Sequence, residues 1–225
     1  MSELNSSGLL HVYHGSPNPE FKPYYGGGRD YHDYGRGLYC TEDVEAAREW
    51  ACQYVDTVTS YVYAYEIDMD GLGPVLDLYT LEPIYWIAAL AKHRFGYNES
   101  NARRRRRLRL IELFPVDCEG YELILGPRAD DRYFAYLNAF IGLDISYEAV
   151  VRAMKLGDMG QQIVLKGENA YRRCRHIDIL AIDAGAYPLY NALYFERERN
   201  ANAKLQEVRE IPGVMLDELI ARGGL

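Results

Sequence analysis

Hydrophobic and polar positions along the chain follow two different periods in different segments. Residues 9–14 read as a short strand that ends in the turn His14-Gly15-Ser16. Prolines 17, 19 and 23 and the run Tyr24-Tyr25-Gly26-Gly27-Gly28 then form a loop with no regular period. Residues 34–41 read as extended and glycine-rich, with Thr41 placed to cap a helix over 42–54. In that helix Val44, Ala47, Ala51 and Tyr54 share one face, and Glu42, Asp43 and Glu45 sit where the helix dipole favours acids. Tyrosines at every second position in 60–68 predict a strand with Tyr61, Tyr63 and Tyr65 on one face. A helix over 82–94 carries Ile84, Ile87, Ala88 and Ala91 on one face. Residues 121–125 predict a buried strand closed by Gly126-Pro127, 130–140 and 146–156 two helices, and 161–166 and 176–183 two strands. A charged helix over 196–209 and a last helical segment over 216–220 complete the chain. Strands and helices mixed without a strict βαβα rhythm predict an α+β fold.

Length and composition narrow this picture. With 225 residues, 48% of them hydrophobic, the chain suits a single domain with a substantial core. The core is expected over about 9–195, with 196–225 as a helical extension. The longest apolar candidate, 85–91, falls far short of the roughly 20 residues a membrane span needs. The polar start, residues 1–8, lacks the order of a secretory signal, so a cytoplasmic location is expected. A net charge of −8 argues against a nucleic-acid footprint over the whole surface. The local exception is the arginine run 103–107 with Arg109, which reads as a solvated face or loop, or as a contact for a phosphate or an acidic partner. Cys40, Cys52, Cys118 and Cys174 show neither C-x-x-C pairing nor finger spacing, so free thiols and no metal site are expected.

The candidate chemistry is concentrated near the N-terminus. A histidine at a strand end, His14, can give a ring N–H to a ribose hydroxyl. Gly15 lets a ligand approach the backbone, so that its N–H and C=O engage a carboxamide. Tyr39 and Trp50 are placed to face each other across a flat ring, each stack contributing roughly 1 kcal/mol.

The block His14-Gly15-Ser16, then Tyr34-Gly35-Arg36-Gly37-Leu38-Tyr39, then a helix bearing Trp50, resembles the NAD-binding signature of diphtheria-toxin-like and poly(ADP-ribose)-polymerase-like ADP-ribosyltransferases, which use a His–Tyr–Glu triad. The segments Gly126-Pro127-Arg128-Ala129-Asp130-Asp131 and Gln161-Gln162-Ile163 resemble a distantly related bacterial family, often encoded beside a small antitoxin-like partner. The resemblance covers about 11–170. It implies a split β-sandwich with flanking helices and NAD as co-substrate. His14 corresponds to the triad histidine on the adenosine ribose, Gly15 to the grip on the carboxamide, Tyr39 to the tyrosine beneath the nicotinamide and Trp50 to its second stacking ring. Ser16 and Gly37 complete the cofactor-binding set.

Two departures shape the expected activity. Ala47 stands where the polymerases place a serine hydroxyl. The catalytic glutamate is matched by Gln162, with Gln161 one register away. A glutamine accepts a hydrogen bond from the ribose but offers no full charge to an oxocarbenium ion, the larger electrostatic effect. Asp130 or Asp131, after the glycine-proline turn, would supply the carboxylate. The expected activity is mono-ADP-ribosyl transfer by a bacterial toxin or effector onto a protein or nucleic-acid acceptor. Two alternatives stand beside it: a binding module for NAD or ADP-ribose without turnover, and a transferase acting on nucleic acid along the arginine run. A neutralising partner would dock on the 196–209 helix or on that run.

Overall fold

The computed structural model describes residues 8–53, 59–96, 99–129, 131–157, 160–183 and 185–225. It is an α+β fold built on two sheets. The first sheet has the order β1 (Leu9–Ser16), β3 (Ser60–Asp68), β7 (Cys174–Ile182), all antiparallel. The second has the order β2 (Leu38–Cys40), β6 (Gln161–Leu165), β5 (Leu123–Pro127), β4 (Val75–Asp77), with only the β4–β5 pair parallel.

Alternation along the strands sorts the core into layers. Leu10, Val12, Tyr63, Tyr65 and Ile67 of the first sheet meet Leu38, Leu123, Ile163 and Leu165 of the second in one buried cluster. The opposite face of the second sheet, with Tyr39, Ile124 and Val164, is covered by α2 (Pro83–His93), α3 (Asn101–Leu113), α4 (Asp131–Gly142) and α5 (Tyr147–Gly157). The outer face of the first sheet packs Val62 and Ile182 on Ala47 and Ala51 of α1 (Val44–Ala51), with Tyr187 and Tyr190 of α7 (Tyr187–Val208) beside them. Two short helices complete the chain, α6 (Glu168–Arg173) and α8 (Leu216–Arg222). Among the described residues no helix is long and apolar enough to cross a membrane.

Several elements depart from the sequence reading. Asp43 rather than Thr41 caps α1, accepting from the backbone N–H of Glu45 at 2.9 Å and of Ala46 at 3.3 Å. Thr41 sits two residues too early, and its hydroxyl accepts from the Asp43 N–H instead. Of the segment 34–41 only Leu38–Cys40 is a strand, because Gly35 takes φ +81° and the chain turns there. The arginine run is no loop. It forms α3, whose Arg107 is buried, bonded to Glu99 at 3.0 Å and stacked over Phe95. The charged C-terminal helix starts earlier than its charges, at Tyr187, with Pro188 in its first turn.

Candidate functional site

The site is built where β1 and β2 diverge. Tyr13 and Thr41 exchange both backbone hydrogen bonds, at 2.7 and 3.0 Å, and so join the two sheets at one point. Beyond that point the strands part, and the gap opens into a cleft of about 640 Å³. That volume falls in the range of small-molecule and cofactor sites. His14, Gly15, Ser16, Gly37, Tyr39 and Trp50 all line it, so three separate segments of the chain meet at one place.

His14 is half-buried on the inter-sheet face, its ring stacked on Phe21 with centroids 4.4 Å apart. Its Nδ1 lies 2.7 Å from the Tyr39 carbonyl oxygen. A carbonyl can only accept, so Nδ1 carries the proton and Nε2 is left as an acceptor. The proton-donating histidine of the sequence reading is corrected accordingly: His14 can receive a hydroxyl proton at Nε2, not give one. Burial, helped by the nearby His32 charge and opposed by the hydrogen bond, pushes its pKa down to about 4.

Gly15 does two things. The Tyr13–Thr41 bridge fixes which backbone groups point away from β3. By alternation the N–H and C=O of Gly15 point the same way, into the gap. On its other side a Cβ would run into the Ala47 carbonyl oxygen and lie 2.7 Å from the Ala51 nitrogen. Glycine here is required by the packing of α1 on β1 as well as by any ligand. Ser16 is buried, and its hydroxyl accepts from the Asn18 N–H at 3.2 Å.

Tyr39 is held from both ends. Its hydroxyl donates to the Gly35 carbonyl at 2.5 Å and accepts from the Tyr34 N–H at 3.0 Å. Tyr34 in turn donates to the Pro127 carbonyl at 2.7 Å and accepts at its own carbonyl from Lys166 at 3.1 Å. Burial keeps both phenols well above their ordinary range, so both are neutral. His32 tilts against the Tyr39 ring at 5.1 Å. Trp50 lines the cleft and also packs against the helical core, with the buried Arg128 guanidinium 4.7 Å from its ring.

Gln162 does not line the cleft. It is fully buried, and its Nε2 donates to Asp33 Oδ2 at 3.3 Å. Gln161, its neighbour in register, pairs with Pro127. Asp130 lies outside the described residues, and Asp131 opens α4. The acid that reaches the cleft is Asp33, only 5% exposed and facing Arg94 at 3.5 Å. The sequence reading does not single it out although it directly precedes Tyr34-Gly35-Arg36-Gly37, because the resemblance puts the glutamate's counterpart at Gln162 and the compensating acid at Asp130 or Asp131. Lys22, Arg29 and Arg94 also line the cleft and give it an excess of cations. A second cavity of about 600 Å³ adjoins it, sharing Tyr31 and Arg94. Among the described residues no group of three His, Cys, Asp or Glu could hold a metal ion.

A family model described as "Protein of unknown function (DUF3990)" matches residues 10–176. The chain belongs to this family. Every described cleft residue except Tyr194 falls inside the matched region of the DUF3990 domain. Neither the curated proteins nor the solved structures contain a significant match to the chain.

Proposed function

We propose that this DUF3990 protein binds NAD in the cleft between β1 and β2 and transfers its ADP-ribose to a macromolecular acceptor, on a fold of the ADP-ribosyltransferase type. The observation that carries the reading is the convergence of His14, Gly15, Tyr39 and Trp50 on one opening, with Lys22 and Arg29 beside it. The backbone of Gly15 supplies one donor and one acceptor, the pair a carboxamide needs. Tyr39 and Trp50 supply aromatic walls for the nicotinamide, and Nε2 of neutral His14 accepts from a ribose hydroxyl. The cations match a diphosphate. An acceptor would approach through the adjoining cavity that shares Tyr31 and Arg94.

The withdrawal of Gln162 from the cleft favours a second reading, a module that holds NAD or ADP-ribose without turnover. Incubation of the purified chain with nicotinamide-labelled and adenine-labelled NAD, with and without a bacterial lysate, separates the two. Nicotinamide release that is lost in His14→Ala supports transfer. Micromolar binding by calorimetry with no release over hours supports the module, and absence of both binding and release removes NAD from the cleft. The small antitoxin-like partner remains part of this proposal, and its test is co-purification with the product of the neighbouring reading frame.

A further inference from the structure

We propose that Asp33 is the catalytic carboxylate of the cleft and that Gln162 is its positioning residue. The inference rests on the NAD reading above and extends it to the charge that the reaction requires.

Four observations support it. Asp33 is the single acidic side chain among the described residues that line the cleft. It is 5% exposed, so its charge acts at low dielectric, where it is worth far more than in water. Its two oxygens are held separately: the Gln162 amide donates to Oδ2 at 3.3 Å and the Arg94 guanidinium faces Oδ1 at 3.5 Å. A fully buried glutamine on β6 that donates to a carboxylate in the loop before β2 is an orienting device. The Gln162 Oε1 is buried with no hydrogen-bond partner among the described residues, a cost that a purely structural contact would not call for.

The step balances as follows. The bond between ribose C1′ and the nicotinamide nitrogen breaks, and its electron pair neutralises the pyridinium as nicotinamide leaves. The carboxylate of Asp33 stabilises the oxocarbenium ion left on the ribose. An acceptor hydroxyl, or water, forms the new C1′–O bond, and its proton passes to Asp33 and then to solvent. Gln162 touches none of the reacting atoms and acts by fixing the carboxylate.

The test uses the full chain and NAD, reading nicotinamide release, NAD binding and the urea midpoint on each variant. Asp33→Asn should lower kcat about 100-fold with the NAD dissociation constant within a few-fold of wild type. Asp33→Ala should regain part of its rate when formate is added, a response that a structural role would not give. Asp33→Glu, which keeps the charge and Arg94's partner, should retain more activity than Asp33→Asn and guards against misfolding of the neutral variants. Gln162→Leu should lower kcat about 10-fold at unchanged KM. Wild-type turnover with Asp33→Asn or Asp33→Ala equally active overturns the proposal alone. Wild-type protein that binds NAD without cleaving it overturns the proposal and the transfer reading but not NAD binding, and wild-type protein that neither binds nor cleaves NAD overturns the reading beneath it as well.

Discussion

The Nδ1 of His14 and the carbonyl oxygen of Tyr39 lie 2.7 Å apart, and this contact joins the two strands at the point where they separate. It orients the imidazole and fixes its tautomer. Burial of that imidazole, against the pull of the hydrogen bond, ties the protonation of His14 to stability. The folded pKa, about 4, lies below the ordinary 6.5, so between those values the unfolded chain binds the extra proton. His14 therefore contributes fully above pH 6.5, and its contribution is lost as pH falls toward 4, by up to about 3 kcal/mol. Burial lowers His32 and His93 as well, and they act in the same direction. Urea denaturation of wild type should show a midpoint that falls from pH 6.5 to pH 4, and His14→Leu should show a shallower fall over that interval. An identical slope in the two proteins would show that His14 is not neutral in the folded state.

Trp50 and Arg128 make a second such pair. A buried guanidinium 4.7 Å from an indole is stabilised by roughly 2 kcal/mol once desolvated. Trp50→Ala removes that face and leaves a hole against the helical core, so it should cost about 3–5 kcal/mol. Trp50→Phe, which keeps a ring, should cost less than half of that. Denaturant midpoints order the three proteins, and equal losses in both variants would mean that the ring face is not what stabilises Arg128.

The parts of the fold that could be read from the chain were those specified by neighbours in sequence. The β3 strand shows its alternation directly, and α2 begins at Pro83 with an unbroken apolar face. The α3 helix had no such mark, because its arginines leave it without an apolar stripe; Arg107 is made burial-tolerant by Glu99 and Phe95, which only the folded chain brings to it. The β4 strand is three residues long and takes its identity from pairing with β5. In the site, His14, Gly15, Tyr39 and Trp50 were legible as residue types around two turns. Asp33 was not, since its meaning comes from Gln162 on a strand far along the chain and from Arg94 just past the end of α2.

Glycine at position 37 is required by contact rather than by turn geometry. A Cβ there would sit 2.6 Å from Val164 Cγ1 and 2.7 Å from the Leu165 carbonyl oxygen, both on the strand that pairs with β2. Gly37→Ala should therefore push β2 off β6 and destabilise the chain by about 1–3 kcal/mol. Gly26→Ala, where nothing lies within 4 Å, meets no such neighbour, though its φ of +80° makes it a strain-only control. Thermal unfolding of the pair separates crowding from backbone strain: a loss at Gly37 no larger than at Gly26 would deny the close approach.

Capping of α1 gives a test confined to one end of a helix. Asp43 satisfies two N–H groups of the first turn, and its replacement by alanine should cost about 1 kcal/mol. Thr41 is buried, so Thr41→Val, which keeps a branched apolar side chain and removes the bond to the Asp43 N–H, should cost less than Asp43→Ala. The reverse order in urea midpoints would return the cap to Thr41.

Lys22 and Arg29 line the cleft without belonging to the packed core, which makes them the cleanest probe of the diphosphate. Charged side chains at such positions act on the ligand through Coulomb attraction that salt screens over about 8–10 Å. Lys22→Ala and Arg29→Ala should each raise the dissociation constant for NAD by about 5- to 10-fold, which corresponds to roughly 1–1.4 kcal/mol. Both should leave the urea midpoint unchanged. Binding of nicotinamide mononucleotide, which carries one phosphate, should suffer less than binding of NAD. The wild-type affinity should fall between 50 and 500 mM salt, and the double variant should lose most of that dependence. If the double variant keeps both the affinity and the salt dependence of wild type, the phosphates are bound elsewhere and the orientation of the dinucleotide in the cleft must be reversed.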